Sequence, residues 1–171
     1  MEGQITEQGG VIDSPIGNHP DFGTILMAAG HQVPNAKPAQ TEYQVVGKNS
    51  AFSLVRAKPV TGRLHQIRVH FASIGHPVLG DEFYAADGEL KGARLPLTTN
   101  PAISEEEESL ITTQTYPNRF MQPGRHALHC CHMKFHHPIT GVPLSLSAPC
   151  PADLWLSWKE NAPPHNRLGF N

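Results

Sequence analysis

Two arginines, two histidines and a glutamine lie close together in the stretch Thr61–His70, which reads TGRLHQIRVH. Guanidinium groups bind carboxylates and phosphates through paired, charge-assisted hydrogen bonds. Arg63 and Arg68 therefore indicate an anionic ligand, because an ordinary surface helix does not need two fixed guanidinium groups.

The apolar residues of the same stretch predict the element that positions these side chains. They fall at positions i, i+3 and i+7, the spacing of one buried helix face: Leu64, Ile67 and Phe71. Thr61 stands where an N-cap would be and Gly75 where the residue after the C-cap would be. The sequence therefore predicts a short amphipathic helix over Arg63–Ser73.

This stretch resembles the central motif of the RluA-type family of RNA pseudouridine synthases. In that family a Thr-Gly-Arg-x-His-Gln-[Ile/Leu]-Arg-x-His helix is followed by Gly-His-Pro-[Ile/Val]-Leu-Gly-Asp and an aromatic pair that ends in Tyr. Matching segments of this chain are Thr61–His70, Gly75–Asp81 with Tyr84, Lys37–Tyr43, Leu128–Cys130 and Phe135–Pro138.

Two elements of the family pattern are missing from this sequence. The family's nucleophile is an aspartate in a His-Arg-Leu-Asp-x-x-Thr-Ser-Gly stretch, and neither this stretch nor the family's Lys-x-Tyr-x-Ala element occurs here. Gly10–Ile16 matches the segment that follows the second element. We therefore interpret residues 1–171 as a partial catalytic domain, its C-terminal portion, which is inactive alone and needs the missing N-terminal half as a partner.

The resemblance implies an isomerase that converts uridine to pseudouridine in ribosomal or transfer RNA, without a metal or other cofactor. It implies that Arg68 pairs with the catalytic aspartate; the alternative is a solvated helix arginine. The pocket residues that it implies are Leu79, Tyr84 and Leu128. Tyr84 could instead be a core residue of the turn, and Leu79 and Leu128 could line the core.

Charge distribution suggests where RNA would bind. The net charge of −2 is not that of a strongly basic nucleic-acid binder. No acidic residue occurs between Glu42 and Asp81, however, while five basic residues do: Lys48, Arg56, Lys58, Arg63 and Arg68. We predict one basic face, with RNA contacts from Arg56, Lys58, Arg63, His65 and Gln66. Arg63 could instead cap a loop, His65 and Gln66 could tie the helix to backbone carbonyls, and Asp81 is expected to bond local backbone amides.

The remaining pattern predicts an α+β fold: a mostly antiparallel, twisted sheet with a few packed helices, as in half of a pseudouridine synthase catalytic domain. Residues 1–39 are expected to form a loop and a short hairpin, and 86–124 a long insertion. The other expected elements are a strand pair Thr41–Val46 and Ala51–Pro59, a hairpin Leu128–Phe135 and Val142–Ser147, and a closing helix Pro151–Asn161.

Cysteine usage and hydropathy bear on location and on rival functions. The 3 cysteines form no disulfide framework and no apolar run has transmembrane length, so we expect a cytoplasmic protein without membrane contact. The His- and Cys-rich residues 126–137 are the basis of a rival reading, a metal-binding domain, although their spacing matches no common zinc pattern. A non-catalytic RNA-binding remnant, or one part of a split enzyme, is the other alternative.

Overall fold

A computed structural model describes residues 1–88, 91 and 125–154 of the chain. The strands, numbered in chain order, are β1 Gly9–Asp13, β2 Ile16–His19, β3 Gly23–Ala29, β4 Gln40–Lys48, β5 Ser53–Pro59, β6 His132–His136 and β7 Pro143–Ser147. Helix α1 spans Gln66–Ser73, and a single 3-10 turn spans Ala86–Gly88.

Three antiparallel strands form the sheet in the order β1-β4-β5. Alternation in β4 makes one face of this sheet apolar, since Thr41 and Val45 are buried whereas Gln44 is exposed. The predicted pairing of β4 with β5 is confirmed, although β4 is longer than expected and β5 starts two residues later. The short hairpin expected within residues 1–39 is also present, as β2 paired with β3.

Helix α1 begins at Gln66 and not, as predicted, near Arg63. The preceding residue, His65, has φ 54° and ψ 17°, the left-handed conformation, so the helix cannot extend further back. Thr61 is therefore not its N-cap. Leu64 lies outside the helix and is 56% exposed, so its predicted place on the buried face is wrong.

The predicted end of α1 is confirmed. Gly75 has φ +81°, which a glycine adopts without steric cost. Its N–H donates to the Ala72 carbonyl at 3.0 Å, and the His76 N–H donates to the Phe71 carbonyl at 2.9 Å. This pair of bonds is the Schellman motif, which satisfies the last carbonyls of the helix.

The helix packs between the three-stranded sheet and the β2–β3 hairpin. Val69 and Ala72 join one core cluster with Ile16, Leu26 and Tyr84. Phe71, on the other side of the helix, packs with Ile5, Ile12 and Val45 of a second cluster. The side chains of α1 thus connect the two sheets, and this fixes the orientation of the polar residues between them.

Strands β6 and β7 form the predicted second hairpin, with Met133 opposite Leu146 and Phe135 opposite Leu144. These four apolar side chains share one face of the hairpin. Met133 and Leu146 are 52% and 54% exposed. The hairpin therefore presents an apolar face that the described residues leave largely uncovered.

The mixture of antiparallel sheets and helix confirms the predicted α+β class. Most of the predicted insertion over 86–124, and the predicted closing helix beyond residue 154, lie outside the described residues. No helix in the described part of the chain has the length and apolar character that a membrane crossing requires.

Candidate active site

A buried ion pair between Arg68 and Asp81 forms the centre of the site. Nε and Nη2 of Arg68 donate to the two carboxylate oxygens of Asp81 at 2.7 and 2.8 Å. The Asp81 side chain is 0% exposed and that of Arg68 is 11% exposed. The guanidinium carbon lies 4.9 Å from the centre of the Tyr84 ring and 5.5 Å from that of Phe83. Arg68 is thus held by a bidentate bond and by two aromatic rings.

Both members of this pair stay charged. Burial alone would raise the pKa of Asp81, but the hydrogen bonds from Arg68 and from the Phe83 N–H outweigh it and leave the pKa lowered. Burial opposes the charged form of Arg68 too, yet the hydrogen bond and charge of Asp81 leave its pKa raised. At neutral pH the site therefore contains a charged guanidinium next to an ionised carboxylate.

Tyr84 links this pair to His65 and to strand β3. Its hydroxyl accepts a hydrogen bond from the Met27 N–H at 3.1 Å and lies 2.8 Å from Nδ1 of His65. Burial lowers the pKa of His65, and the nearby charge of Arg68 lowers it further. We orient the Tyr84 hydroxyl as the donor to Nδ1 of a neutral ring, with the ring proton on Nε2, because the Tyr84 oxygen already accepts from Met27.

Gln66 connects the start of α1 to two neighbouring segments. Its Oε1 accepts from the Thr61 hydroxyl at 2.8 Å and from the Arg63 N–H at 3.0 Å. Its Nε2 donates to the Gln40 carbonyl at 2.8 Å and to the Thr41 hydroxyl at 3.0 Å. All four hydrogen bonds that an amide can make are used within the protein. The geometry favours a positioning role for Gln66 over the predicted RNA contact.

His70 extends this network into the core. Its Nδ1 lies 2.9 Å from the Thr41 hydroxyl and its Nε2 lies 2.9 Å from the Ser14 carbonyl. Thr41 accepts from Gln66, so its proton points to Nδ1 of His70, and Nε2–H donates to Ser14. Burial lowers the pKa of His70, which favours this neutral form.

The five basic residues of the acid-free window do not share one face. Arg68 is buried, so its predicted place on the exposed basic face is wrong. Arg56 and Lys58 are exposed side by side on β5, and Lys58 pairs with Glu42 at 2.9 Å. Nε of Arg63 donates to the Pro38 carbonyl at 3.0 Å. Nζ of Lys48 donates to the Thr6 carbonyl at 3.1 Å.

The three predicted pocket residues lie on segments close to the ion pair. Leu79 and Tyr84 are 7% and 1% exposed, and Leu128 is half-buried. The Ala127 N–H donates to the Leu79 carbonyl at 2.7 Å, which holds residues 126–128 beside the turn. Their role as pocket residues stays a prediction.

Sequence reasoning missed two residues of this site. Asp81 does bond the backbone N–H groups of Phe83 and Tyr84, as expected, but it is also the carboxylate partner of Arg68. Its position as the first acidic residue after the acid-free window was the available signal. His126 was read only as part of a His-rich run. It is half-buried, and burial together with the charge of Arg68 lowers its pKa.

The His- and Cys-rich segment forms no metal site within residues 125–154. No three histidine, cysteine, aspartate or glutamate side chains converge in the described part of the chain. Nε2 of His129 lies 3.3 Å from the Ala148 carbonyl, and Nδ1 of His132 lies 3.0 Å from the Ser147 hydroxyl. All three cysteines are free and exposed.

Comparison with known proteins gives consistent matches. The family model described as RNA pseudouridylate synthase matches residues 16–73. Ribosomal large subunit pseudouridine synthase D of Pasteurella multocida is 36% identical over 149 residues, which is 87% of this chain and 39% of that protein. The protein of the same name from Nitrosomonas europaea is 35% identical over 86% of this chain and 35% of its own length. The chain therefore spans well under half the length of these relatives.

Two solved structures resemble the fold. Human RNA pseudouridylate synthase domain containing 1 aligns with a TM-score of 0.57 and 28% identity, over 86% of this chain and 50% of its own. Human RNA pseudouridylate synthase domain containing 4 aligns with a TM-score of 0.52 and 25% identity, over 89% of this chain and 56% of its own.

Proposed function

We propose that this chain, which belongs to the RNA pseudouridylate synthase family, forms part of an enzyme that isomerises uridine to pseudouridine in RNA. Ribosomal RNA is the favoured substrate, because the relatives from Pasteurella multocida and Nitrosomonas europaea are named as ribosomal large subunit synthases. A cytoplasmic location fits that substrate and the three free cysteines. The observation that carries the proposal is the buried, oriented guanidinium of Arg68 inside the matched motif.

Arg68 would donate hydrogen bonds to the carboxylate of the nucleophile. Pseudouridine formation breaks the N-glycosidic bond of uridine, turns the base and joins its C5 to C1′ of the ribose. In the family pattern an aspartate is the nucleophile, and a guanidinium beside it keeps that carboxylate ionised and oriented. The target base has to leave its stack to be reached, so the site also needs contacts to the displaced nucleotide.

The nucleophile would come from polypeptide that this sequence does not contain. We propose that residues 1–171 form one portion of a catalytic domain and that an N-terminal portion completes it. Two features support this arrangement. The apolar face of the β6–β7 hairpin is exposed, and β1 and β5 are the edge strands of the three-stranded sheet in the described part of the chain. Both kinds of surface are suited to packing against further polypeptide.

RNA contacts would come from basic and histidine side chains that are exposed or half-buried. Arg56 is exposed, and Arg63 is half-buried. Lys58 shares the outer face of β5 with Arg56 but is partly neutralised by Glu42. His65 is half-buried next to Arg68, and Nε2, to which we assign the ring proton, has no partner within residues 1–88 and 125–154. We propose that these four side chains meet the RNA.

A chimera tests the proposal. The part of the Pasteurella multocida relative that aligns with this chain is replaced by the corresponding residues of this chain, and tritium release from ribosomal RNA labelled at C5 of uridine is measured. We expect the chimera to release tritium and the 171-residue chain alone to release none. A folded chimera that binds RNA without forming pseudouridine would refute the proposal and favour a non-catalytic RNA-binding protein.

A further inference from the structure

The guanidinium of Arg68 is bound along only one of its edges. A guanidinium carries five N–H donors. Asp81 takes one from Nε and one from Nη2, at 2.7 and 2.8 Å. Nη1 has no partner among the described residues. Among the described residues, the only buried side-chain nitrogen or oxygen without a partner is Nδ2 of Asn49. Nη1 of Arg68, which has no partner among these residues, is therefore exposed to solvent.

Asp81, in contrast, is fixed from its own turn. Its N–H donates to the Val78 carbonyl at 3.0 Å, and Gly80 has φ +74°, which allows the chain to turn at this point. The carboxylate oxygen Oδ1 accepts from the backbone N–H groups of Phe83 and Tyr84 at 3.0 and 3.1 Å. Backbone hydrogen bonds from its own turn therefore hold the carboxylate independently of its bonds to Arg68.

We propose that Asp81 is a positioning residue: it holds Arg68 by the Nε–Nη2 edge and so leaves the Nη1 side open to a second carboxylate, supplied by polypeptide that this sequence does not contain. The inference rests on the proposed function for its biological meaning, since the second carboxylate would belong to the nucleophile. The rings of Phe83 and Tyr84 restrict the guanidinium further, at 5.5 and 4.9 Å from its carbon.

A role in stability alone explains this arrangement less well. Buried ion pairs are often no more stabilising than apolar residues of similar volume, because desolvation offsets the attraction between the charges. Here the aspartate also neutralises the charge of Arg68, so a second anion is not captured by net charge. It would be selected by the direction of the open donors, which is the property that Asp81 fixes.

Arginine side-chain NMR on the 171-residue chain tests the inference. Asp81→Asn keeps the oxygen that bonds Nη2 and the two backbone N–H groups, but it places an amide donor opposite Nε–H. We expect solvent exchange of the Arg68 Nε–H to speed up about tenfold or more, the factor that a lost charge-assisted bond implies. The control Glu42→Gln makes the same change in the exposed pair with Lys58 and should leave the Arg68 signals unchanged.

A second measurement needs no variant, in case Asp81→Asn does not fold. Potassium acetate, balanced with chloride at constant ionic strength, is titrated into the wild-type chain as a carboxylate probe. We expect the Nη1 signals of Arg68 to shift more than its Nε signal. Unchanged Arg68 exchange in folded Asp81→Asn, or equal or absent shifts with acetate, would overturn the inference. Pseudouridine formation is measured separately in the chimera. An inactive chimera would therefore refute the proposed function without affecting the NMR result on Arg68.

Discussion

Replacing Gln66 by leucine should destabilise the chain markedly, because the amide of Gln66 is buried and makes four hydrogen bonds within the protein. The residue is 4% exposed, and its bonds measure between 2.8 and 3.0 Å. A net contribution of about 0.5–1.5 kcal/mol for each bond, offset in part by the apolar gain of leucine, gives a loss of roughly 1–4 kcal/mol. For a chain of this size that loss corresponds to a fall in Tm of roughly 2–16 °C.

The matched control is Gln44→Leu, the same chemical change at an exposed position of β4. Urea unfolding followed by circular dichroism measures both variants, and the control should change the unfolding free energy by less than about 0.5 kcal/mol. Equal effects of the two substitutions would refute the reasoning, since the network around Gln66 would then contribute nothing specific. If Gln66→Leu leaves the unfolding free energy unchanged, that result would also favour the predicted contact between Gln66 and RNA.

Three further predictions concern pH, salt and association. Burial lowers the pKa of His70 in the folded state. The stabilising contribution of His70 is therefore complete above the unfolded pKa of about 6.5, and it is lost as the pH falls toward the folded pKa. His70→Gln should flatten this pH dependence of Tm in thermal melts between about pH 5 and pH 7.5. Replacing Arg56, Lys58 and Arg63 by serine should flatten the salt dependence of RNA binding, measured by fluorescence anisotropy, by roughly two to three units of log–log slope. The chain alone should self-associate in sedimentation velocity through its exposed apolar face, and Met133→Lys should weaken that association.

Each of these three predictions has an outcome that contradicts it. If stability rises as the pH falls from about 7 toward 5.5, through the unfolded pKa of about 6.5, His70 is charged in the folded state, contrary to its hydrogen bonds. An unchanged salt slope in the triple variant, with Lys37→Ser as the exposed control, would mean that this surface does not meet RNA. A monomer with one sharp cooperative melt would show that residues 1–171 are self-sufficient.

The strands could be predicted because their pattern is local. Alternating apolar and polar residues in β4 and β5 specify which face is buried. The end of α1 was equally local, since Gly75 is the residue that the Schellman motif requires at positive φ. These features depend on residues close together in the chain.

The start of α1 could not be predicted because it depends on a distant contact. Thr61 resembles an N-cap in sequence, but its hydroxyl donates to Oε1 of Gln66 and accepts from the Gln40 N–H at 3.0 Å. The hydrogen bond from Tyr84 to His65 helps to hold that histidine in the left-handed conformation. Partners more than fifteen residues away therefore decide where the helix begins.

The site was predicted in part for the same reason. The motif identified Arg68 as a residue that binds a carboxylate, but it could not indicate that Asp81 takes one edge of the guanidinium. Asp81 lies thirteen positions further along the chain, and only the fold brings its side chain to Arg68. The predicted basic face was wrong for Arg68, because an acid-free stretch of sequence does not indicate which of its side chains are buried.

Tritium release by the chimera with and without Arg68→Ala tests the central claim most directly. If Arg68 is the guanidinium that orients the catalytic carboxylate, its loss should lower kcat by on the order of 10²–10³. Arg68→Lys should rescue little of that loss, because an ammonium lacks the planar fork that binds Asp81. A variant that folds and keeps more than half of the unsubstituted kcat would contradict the account.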